Sequence, residues 1–169
     1  MEKFWSPWRS KYIESFKEEV DDGKCIFCNV STKEISEEKY LLIHKGNECF
    51  VVLNLYPYNS GHLMVVPNRH LCDLTELTET ELAEMMKYVQ VALKALKRVM
   101  KPQGYNFGAN LGKAAGAGID AHIHFHVLPR WTGDTNFMPA IGEVKVISQD
   151  LLETRRNVAK AFADVLNGD

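Results

Sequence analysis

The segment AHIHFHVLPRW, residues 121–131, sets histidine at 122, 124 and 126 with Ile123, Phe125 and Val127 between and after them. Alternation of this kind has a period of two, the signature of a strand whose successive side chains take opposite faces. His122, His124 and His126 therefore share one face, with neighbouring imidazoles roughly 7 Å apart along the row. Ile123, Phe125 and Val127 take the other face and are expected to pack beneath a helix, and Pro129 is expected to end the ladder. A half-exposed strand with polar alternation explains three successive outward histidines poorly. Two chemical readings remain. Histidines at i and i+2 on a strand can share a metal ion, or one imidazole can act as nucleophile or base while its neighbours orient it. The alternation alone does not choose between them.

Upstream, ECFVVLN (48–54) and HLMVVP (62–67) are β-branched runs separated by the turn formers of LYPYNSG, which predicts a hairpin. The longest periodic segment runs from Thr78 to Lys101. Thr78 and Glu81 have capping-box spacing, and Leu82, Met85, Met86, Val89, Leu93, Leu96 and Met100 recur at helical intervals as a core-facing stripe. A further strand is expected near Tyr105, then the small-residue loop GKAAGAG (112–118), then the histidine strand. A last helix, carrying Leu152, Val158, Phe162 and Val165, is predicted over 149–166. Ser6 and Pro7 mark a short helix to about Phe16, and KEEVDDGK a charged linker. Short strands around one long helix predict an α+β fold with an antiparallel sheet.

The 169 residues are enough for one domain with its own core. A net charge of −2 gives no basic footprint, so nucleic acid is not an expected partner. No apolar run has the length of a membrane span, and MEKFWSPWRSKY lacks a signal peptide's apolar stretch. The expectation is a cytoplasmic protein that neither spans nor binds a membrane. There four cysteines do not imply a disulfide framework. Cys49 and Cys72 read as small core residues. Cys25 and Cys28, in CIFC, read as half of a structural zinc site, as buried thiols, or as a redox pair.

Around the histidines, GKAAGAG has almost no side chains, so backbone N–H groups can approach a ligand closely, as they do around phosphate. Asn54 and Asn110 end two predicted strands and can hydrogen-bond a sugar. His62, after the NSG turn, can join the cluster from a neighbouring strand.

HIHFHVL fits the histidine-triad (HIT) pattern, His-φ-His-φ-His-φ-φ with φ apolar, at every position, and VVLNLYPYNSGHLMVVPNRH resembles that family's upstream strand pair. The likeness covers residues 25–138, between an N-terminal extension (1–24) and a C-terminal strand and helix (139–169) of one HIT domain. It implies a HIT-like five-stranded antiparallel sheet with one long helix and a C-terminal helix. WSPWRSKYI and GAGIDAHIHFHVLPRWTGDTNFMP further resemble the HIT-type diadenosine tetraphosphate phosphorylases (ATP adenylyltransferases), with the fragile-histidine-triad hydrolases nearby.

The resemblance implies that His124 is the nucleophile that forms a covalent nucleotidyl-histidine, with His126 and His62 as phosphate-contacting and orienting histidines. It implies that Asn54 binds ribose, that Asn110 supplies an active-site amide, and that backbone N–H groups near Gly116 and Gly118 bind phosphate. Many relatives carry Gln-Ser or Gln-Thr where this chain has Gly118 and Ile119, so a side-chain hydroxyl contact is missing here. Trp131 is a candidate for stacking on the second base or, equally, for plain packing at the interface. Bacterial relatives complete the zinc site begun by Cys25 and Cys28 with the equivalents of His70 and His122. No organic cofactor is expected, and the implied assembly is a homodimer acting on adenine nucleotides or dinucleoside polyphosphates. Phosphorolysis of diadenosine tetraphosphate is the implied reaction. A dinucleoside polyphosphate or adenosine phosphoramidate hydrolase and a non-catalytic nucleotide-binding partner protein are the alternatives.

Overall fold

A computed structural model describes residues 25–135 and 149–168. The expected N-terminal helix, the charged linker and the strand expected ahead of the last helix lie outside these residues. Eight elements follow in order: α1 (Ile26–Ser31), β1 (Leu42–Lys45), β2 (Cys49–Leu53), β3 (Leu63–Pro67), α2 (Glu79–Met100), β4 (Gly104–Gly108), β5 (Phe125–Arg130) and α3 (Leu151–Leu166). The strands form one five-stranded sheet in the order β1-β2-β3-β5-β4, with every neighbouring pair antiparallel. The α+β architecture expected from the sequence is the one the chain adopts.

The predicted hairpin forms in register, from Cys49 opposite Pro67 to Leu53 opposite Leu63, and both strands are buried throughout. Its connection closes through Gly61, whose φ of +76° suits the third position of a tight turn, with His62 N donating to the Asn59 carbonyl at 3.2 Å. A Cβ at Gly61 would also meet the sulfur of the flexible Met100 side chain, which would have to shift, so the positive φ is the main reason for glycine here.

The histidine strand differs from its prediction at both ends. The ladder begins only at Phe125, and His122 and His124 precede it. There Ile123 N donates to the Leu71 carbonyl at 2.7 Å, beyond the end of β3. At the other end the strand continues through Pro129 to Arg130, because β3 pairs only as far as Val127 while β4 pairs on to Arg130. Pro129 thus lies where β5 has a single neighbour, the condition under which a strand tolerates proline. The fifth strand, β1, was not placed by the pattern: four residues with His44 and Lys45 among them, and a register shift, carry no readable alternation.

Helix α2 starts with the predicted capping box: Thr78 Oγ1 accepts from Glu81 N at 3.2 Å, and the Glu81 carboxylate accepts from Thr78 N at 2.7 Å. It packs on β2, β3 and β5, over the face that carries Leu63, Val65, Phe125 and Val127. Met85, Val89 and Leu96 are buried as expected, whereas Met86 is 41% exposed and lies off the stripe. Cys72 is exposed, not a core residue as expected; it sits in the connection after β3 where no element covers it, while Cys49 is buried. Helix α3 packs on α2 and β1, and is tied down by Arg155, which donates to the carbonyls of Leu42 (2.9 Å) and Ile35.

Glu84 of α2 reaches the β1–β2 turn and accepts from the backbone N–H groups of Asn47 (3.2 Å), Glu48 (2.6 Å) and Cys49 (2.9 Å). Burial alone would raise its pKa, but these donors outweigh burial and hold it below the usual carboxylate range. Its stabilising share is therefore full above the ordinary carboxylate pKa and is lost as the pH falls through the lowered folded value. Replacing Glu84 by alanine is expected to cost about 1–3 kcal/mol by stranding these donors. Chemical denaturation at pH 7 checks this, and an unchanged midpoint would refute it.

Candidate active site and metal centre

Apart from His44, which bonds the Tyr88 hydroxyl, the imidazoles divide into two groups by what their nitrogens touch. His124 Nδ1 lies 2.9 Å from the His122 carbonyl oxygen, which only accepts, so Nδ1 carries the proton and Nε2 the lone pair. His62 Nδ1 receives Tyr58 N–H at 3.1 Å and lies 3.2 Å from the Asn54 amide nitrogen, so it is an acceptor. Its Nε2–H must then donate to His126 Nδ1 at 2.8 Å, which leaves the proton of neutral His126 on Nε2. That Nε2 is buried without a protein partner, a donor held for something the protein does not supply. Three groups thus fix the tautomers of three histidines: the His122 carbonyl for His124, and Tyr58 N–H together with the Asn54 side-chain amide for the His62–His126 pair.

Burial keeps these rings neutral. It pushes the His62 pKa down to about 3, helped by repulsion from His126 and His124, and the His126 pKa down to about 4, helped by His124. The His124 pKa is also lowered by burial, against a partial pull upward from its bond to the His122 carbonyl. The His124 and His126 rings meet edge to face with centroids 4.7 Å apart, closer than the spacing of an untilted row. Phe27 of α1 packs on His122 and His124 from the outside, at 5.5 and 4.9 Å.

His124 and His126 line a cavity of about 340 Å³ between α1 and the sheet. Ile26, Phe27, Val30, Leu41, Val52 and Leu53 give it aliphatic and aromatic walls, and Asn54, Gly118 and Ile119 also line it. Such a slot suits a flat apolar group whose polar end reaches the imidazoles. A second cavity of about 220 Å³ shares Tyr58 and His126 with the first and is lined also by Asn106, Phe107 and Asn110. His126 therefore stands between two spaces.

Of the other expected site residues, Asn54 lines the first cavity, and its side chain also accepts from Tyr56 N at 2.9 Å. Gly116 sits inside the 112–118 loop at φ +85°, its N–H bonded to the Lys113 carbonyl, while Ala115 and Ala117 N–H bond to Gly112. These donors close the loop on itself, and Gly118 is the part of it that lines the cavity. Gly116 and Trp131 line neither cavity. Trp131 is half-buried, with its N–H donating to Asp134 at 3.1 Å. Sequence reasoning missed Tyr58, whose contribution is a backbone N–H and a ring 4.7 Å from His62, and Phe27, hidden inside CIFC as an apparent spacer.

His122 belongs to the other group. Its Nδ1 lies 3.3 Å from Cys25 Sγ, 3.6 Å from Cys28 Sγ and 3.3 Å from His70 Nδ1, and Cys28 Sγ lies 3.2 Å from His70 Nδ1. The four donor atoms fall within 4.8 Å of one another, a possible metal site. Metal–ligand bonds of ~2.0–2.3 Å give a tetrahedron edges of roughly 3.3–3.8 Å, and the four separations above lie close to that range. His122 Nε2–H donates to the Pro67 carbonyl at 3.0 Å, which leaves the Nδ1 lone pair free to face the cysteines and His70. The three triad histidines do not converge on one ion, since His122 faces the cysteines while His124 spends Nδ1 on a carbonyl.

An α+β sheet that presents alternating histidines beside an apolar slot defines a histidine-triad protein. Residues 36–133 match the HIT domain, and the chain belongs to the HIT family. It is 42% identical over 166 residues to the AP-4-A phosphorylase of Mycobacterium tuberculosis (strain H37Rv), covering 96% of this chain and 85% of that protein. It is 33% identical over 126 residues to an uncharacterised HIT-like protein of Methanocaldococcus jannaschii, covering 75% of this chain and 93% of that one. Among solved structures it resembles a Zn-bound histidine triad family protein from Mycobacterium smegmatis, with a TM-score of 0.69 and 26% identity over 87% of this chain and 99% of that chain. Among the described residues no helix is long and apolar enough to cross a membrane.

Because His62 and His126 fold neutral, the unfolded chain binds protons that the folded chain refuses once the pH drops below the free imidazole value of ~6.5. Stability is thus full above that value and falls as the pH drops towards about 4, the folded value of His126. The denaturation midpoint is expected to fall between pH 7 and pH 5, with a shallower slope in His62→Gln. A midpoint flat across this interval would contradict the neutral assignment.

Proposed function

We propose that this chain transfers nucleotidyl groups from dinucleoside polyphosphates through a covalent nucleotidyl-His124, and that its reaction is phosphorolysis of diadenosine tetraphosphate to ADP and ATP. The carrying observation is His124: Nδ1–H fixed on the His122 carbonyl, Nε2 unprotonated, and the ring in the wall of an apolar slot of base-binding size. A neutral imidazole is a competent nucleophile near pH 7. The similarity to the AP-4-A phosphorylase supports the substrate class.

In this reading the adenine of one half occupies the slot and Asn54 reaches its ribose. His124 Nε2 attacks the α-phosphorus; the N–P bond forms as the bond to the bridging oxygen breaks, and ATP departs with the bond's electron pair. The positive charge that develops on the ring is held by the His122 carbonyl through Nδ1–H. His126 Nε2–H, the buried donor without a protein partner, hydrogen-bonds the departing or non-bridging oxygen. Inorganic phosphate then attacks the adenylyl phosphorus, the N–P bond breaks, and ADP leaves with His124 neutral again. Water in place of phosphate would give AMP and a hydrolase.

Product analysis with diadenosine tetraphosphate, with and without inorganic phosphate, separates the readings. The expected result is ADP plus ATP only when phosphate is present, and a loss of more than about 10³-fold in kcat for His124→Ala. AMP plus ATP without phosphate assigns a hydrolase. Tight AMP binding without turnover would assign a non-catalytic nucleotide-binding protein, and full activity in His124→Ala would overturn the role of His124.

Zinc is the proposed occupant of the Cys25, Cys28, His70 and His122 set. The two thiols, the two imidazoles and the tetrahedral spacing support it, and the ion's contribution is structural, joining α1 to the segments that carry His70 and His122. Elemental analysis is expected to find about one zinc per chain. Exchange for cobalt is expected to give a thiolate charge-transfer band that weakens in Cys28→Ser; a metal-free protein without such a band refutes the assignment. A homodimer is proposed as the assembly, supported by β4 at one edge of the sheet with Phe107 48% exposed.

A further inference from the structure

The TGDTN segment after β5 contains a buried carboxylate that the reaction above does not use. Asp134 has a side chain only 7% exposed and takes a two-pronged bond from Arg130, Nε to Oδ2 at 2.6 Å and Nη2 to Oδ1 at 2.8 Å. Arg130 also donates to Asn106 of β4. The same Oδ2 accepts from Trp131 N at 3.1 Å and from the Asn59 side-chain amide at 2.8 Å. Asn59, itself buried, donates from that amide to the Pro129 carbonyl as well, at 3.1 Å. A buried asparagine in the β2–β3 turn is thus gripped at two points by the far end of β5.

What the grip holds is the turn that sets the histidine tautomers. Tyr58, whose N–H makes His62 Nδ1 an acceptor, directly precedes Asn59, and the Asn59 carbonyl receives His62 N–H at 3.2 Å. From the sheet side His62 is fixed by its Nε2 bond to His126, but nothing in the ladder itself dictates where Tyr58 N–H points. We propose that Asn59, Asp134 and Arg130 form a positioning clamp. By locking the 54–62 turn onto β5 the clamp keeps Tyr58 N–H, beside the Asn54 amide of the same turn, on His62 Nδ1, and so keeps the proton of His126 on Nε2, the donor offered to the substrate's phosphate. None of the three lines either described cavity; they act through Tyr58 and His62. The kinetic half of this inference rests on the nucleotidyl-transfer reading, while its tautomer half does not.

The test uses the full-length protein and two variants, Asn59→Ala and the near-isosteric Asp134→Asn. The imidazole nitrogens are observed by ¹⁵N NMR and turnover of diadenosine tetraphosphate with phosphate is measured on the same samples. In the wild type His62 is expected as the Nε2–H tautomer, with Nδ1 shifted as an acceptor. In both variants that signal is expected to move towards a mixture of tautomers, with kcat down about 10- to 100-fold and KM nearly unchanged. A side chain that merely stabilised the fold would lower the melting temperature and leave the tautomer and the kcat of the remaining folded protein intact. That result in either folded variant overturns the clamp. If Asn59→Ala does not fold, Asp134→Asn alone decides. If the wild type shows no turnover while the tautomer still shifts in the variants, the clamp stands and the reaction assignment fails.

Discussion

The pairing of β3 with β5 is the constraint from which the site follows. Setting Leu63, Met64 and Val65 opposite Val127, His126 and Phe125 puts His62, one residue before β3, within hydrogen-bonding reach of His126. The same alignment carries the end of β3 past the start of β5, so that the Pro67 carbonyl meets the His122 ring and the Leu71 carbonyl meets Ile123 N–H. A slip of one residue would turn His126 to the helix-covered face and Phe125 to the cavity. The apolar sides of both strands, buried under α2, hold the register, so the chemistry on one face is fixed by packing on the other.

His122 is the joint between the two halves of the site. Its ring serves the cysteine–histidine set and the Pro67 carbonyl, while its own carbonyl sets the tautomer of His124. The alternation of the triad is what makes this division possible. Residues two apart share a face in an extended chain, so one ring can turn to the cysteines while the next lines the slot, and their backbone link costs no extra side chain.

Much of this was legible in the sequence, for identifiable reasons. The hairpin, α2 with its capping box and α3 each carry a long periodic signal or a capping pair, and Cys25, Cys28, His70 and His122 do come together. What escaped was carried by backbone or by short elements. β1 has four residues with a register shift, and no period can be read from so few. Tyr58 contributes an N–H that every non-proline residue possesses, so its side chain gives no sign of its role. The continuation of β5 through Pro129 depends on β3 stopping short, a fact about the neighbour and not about the proline. Met86 sits one residue from Met85 and so falls outside the buried stripe despite its apolar character.

Among the described residues the lining of the slot carries no charged side chain, which bears on how the histidines are held. No lysine or arginine lines either described cavity, and burial keeps His62 and His126 neutral, with pKa values of about 3 and about 4. In the proposed reaction His124 attacks through an unprotonated nitrogen and His126 donates from a protonated one, and at buried rings full-charge control of these states would carry a large desolvation cost. Neutral tautomers set by hydrogen bonds avoid it. Each proton is placed by an acceptor or donor whose own position is fixed by the sheet or the turn, so the polarity of the site is decided before a substrate arrives. In the proposed reaction, preorganisation of this kind spares the dipoles from reorienting as charge moves from His124 to the departing oxygen.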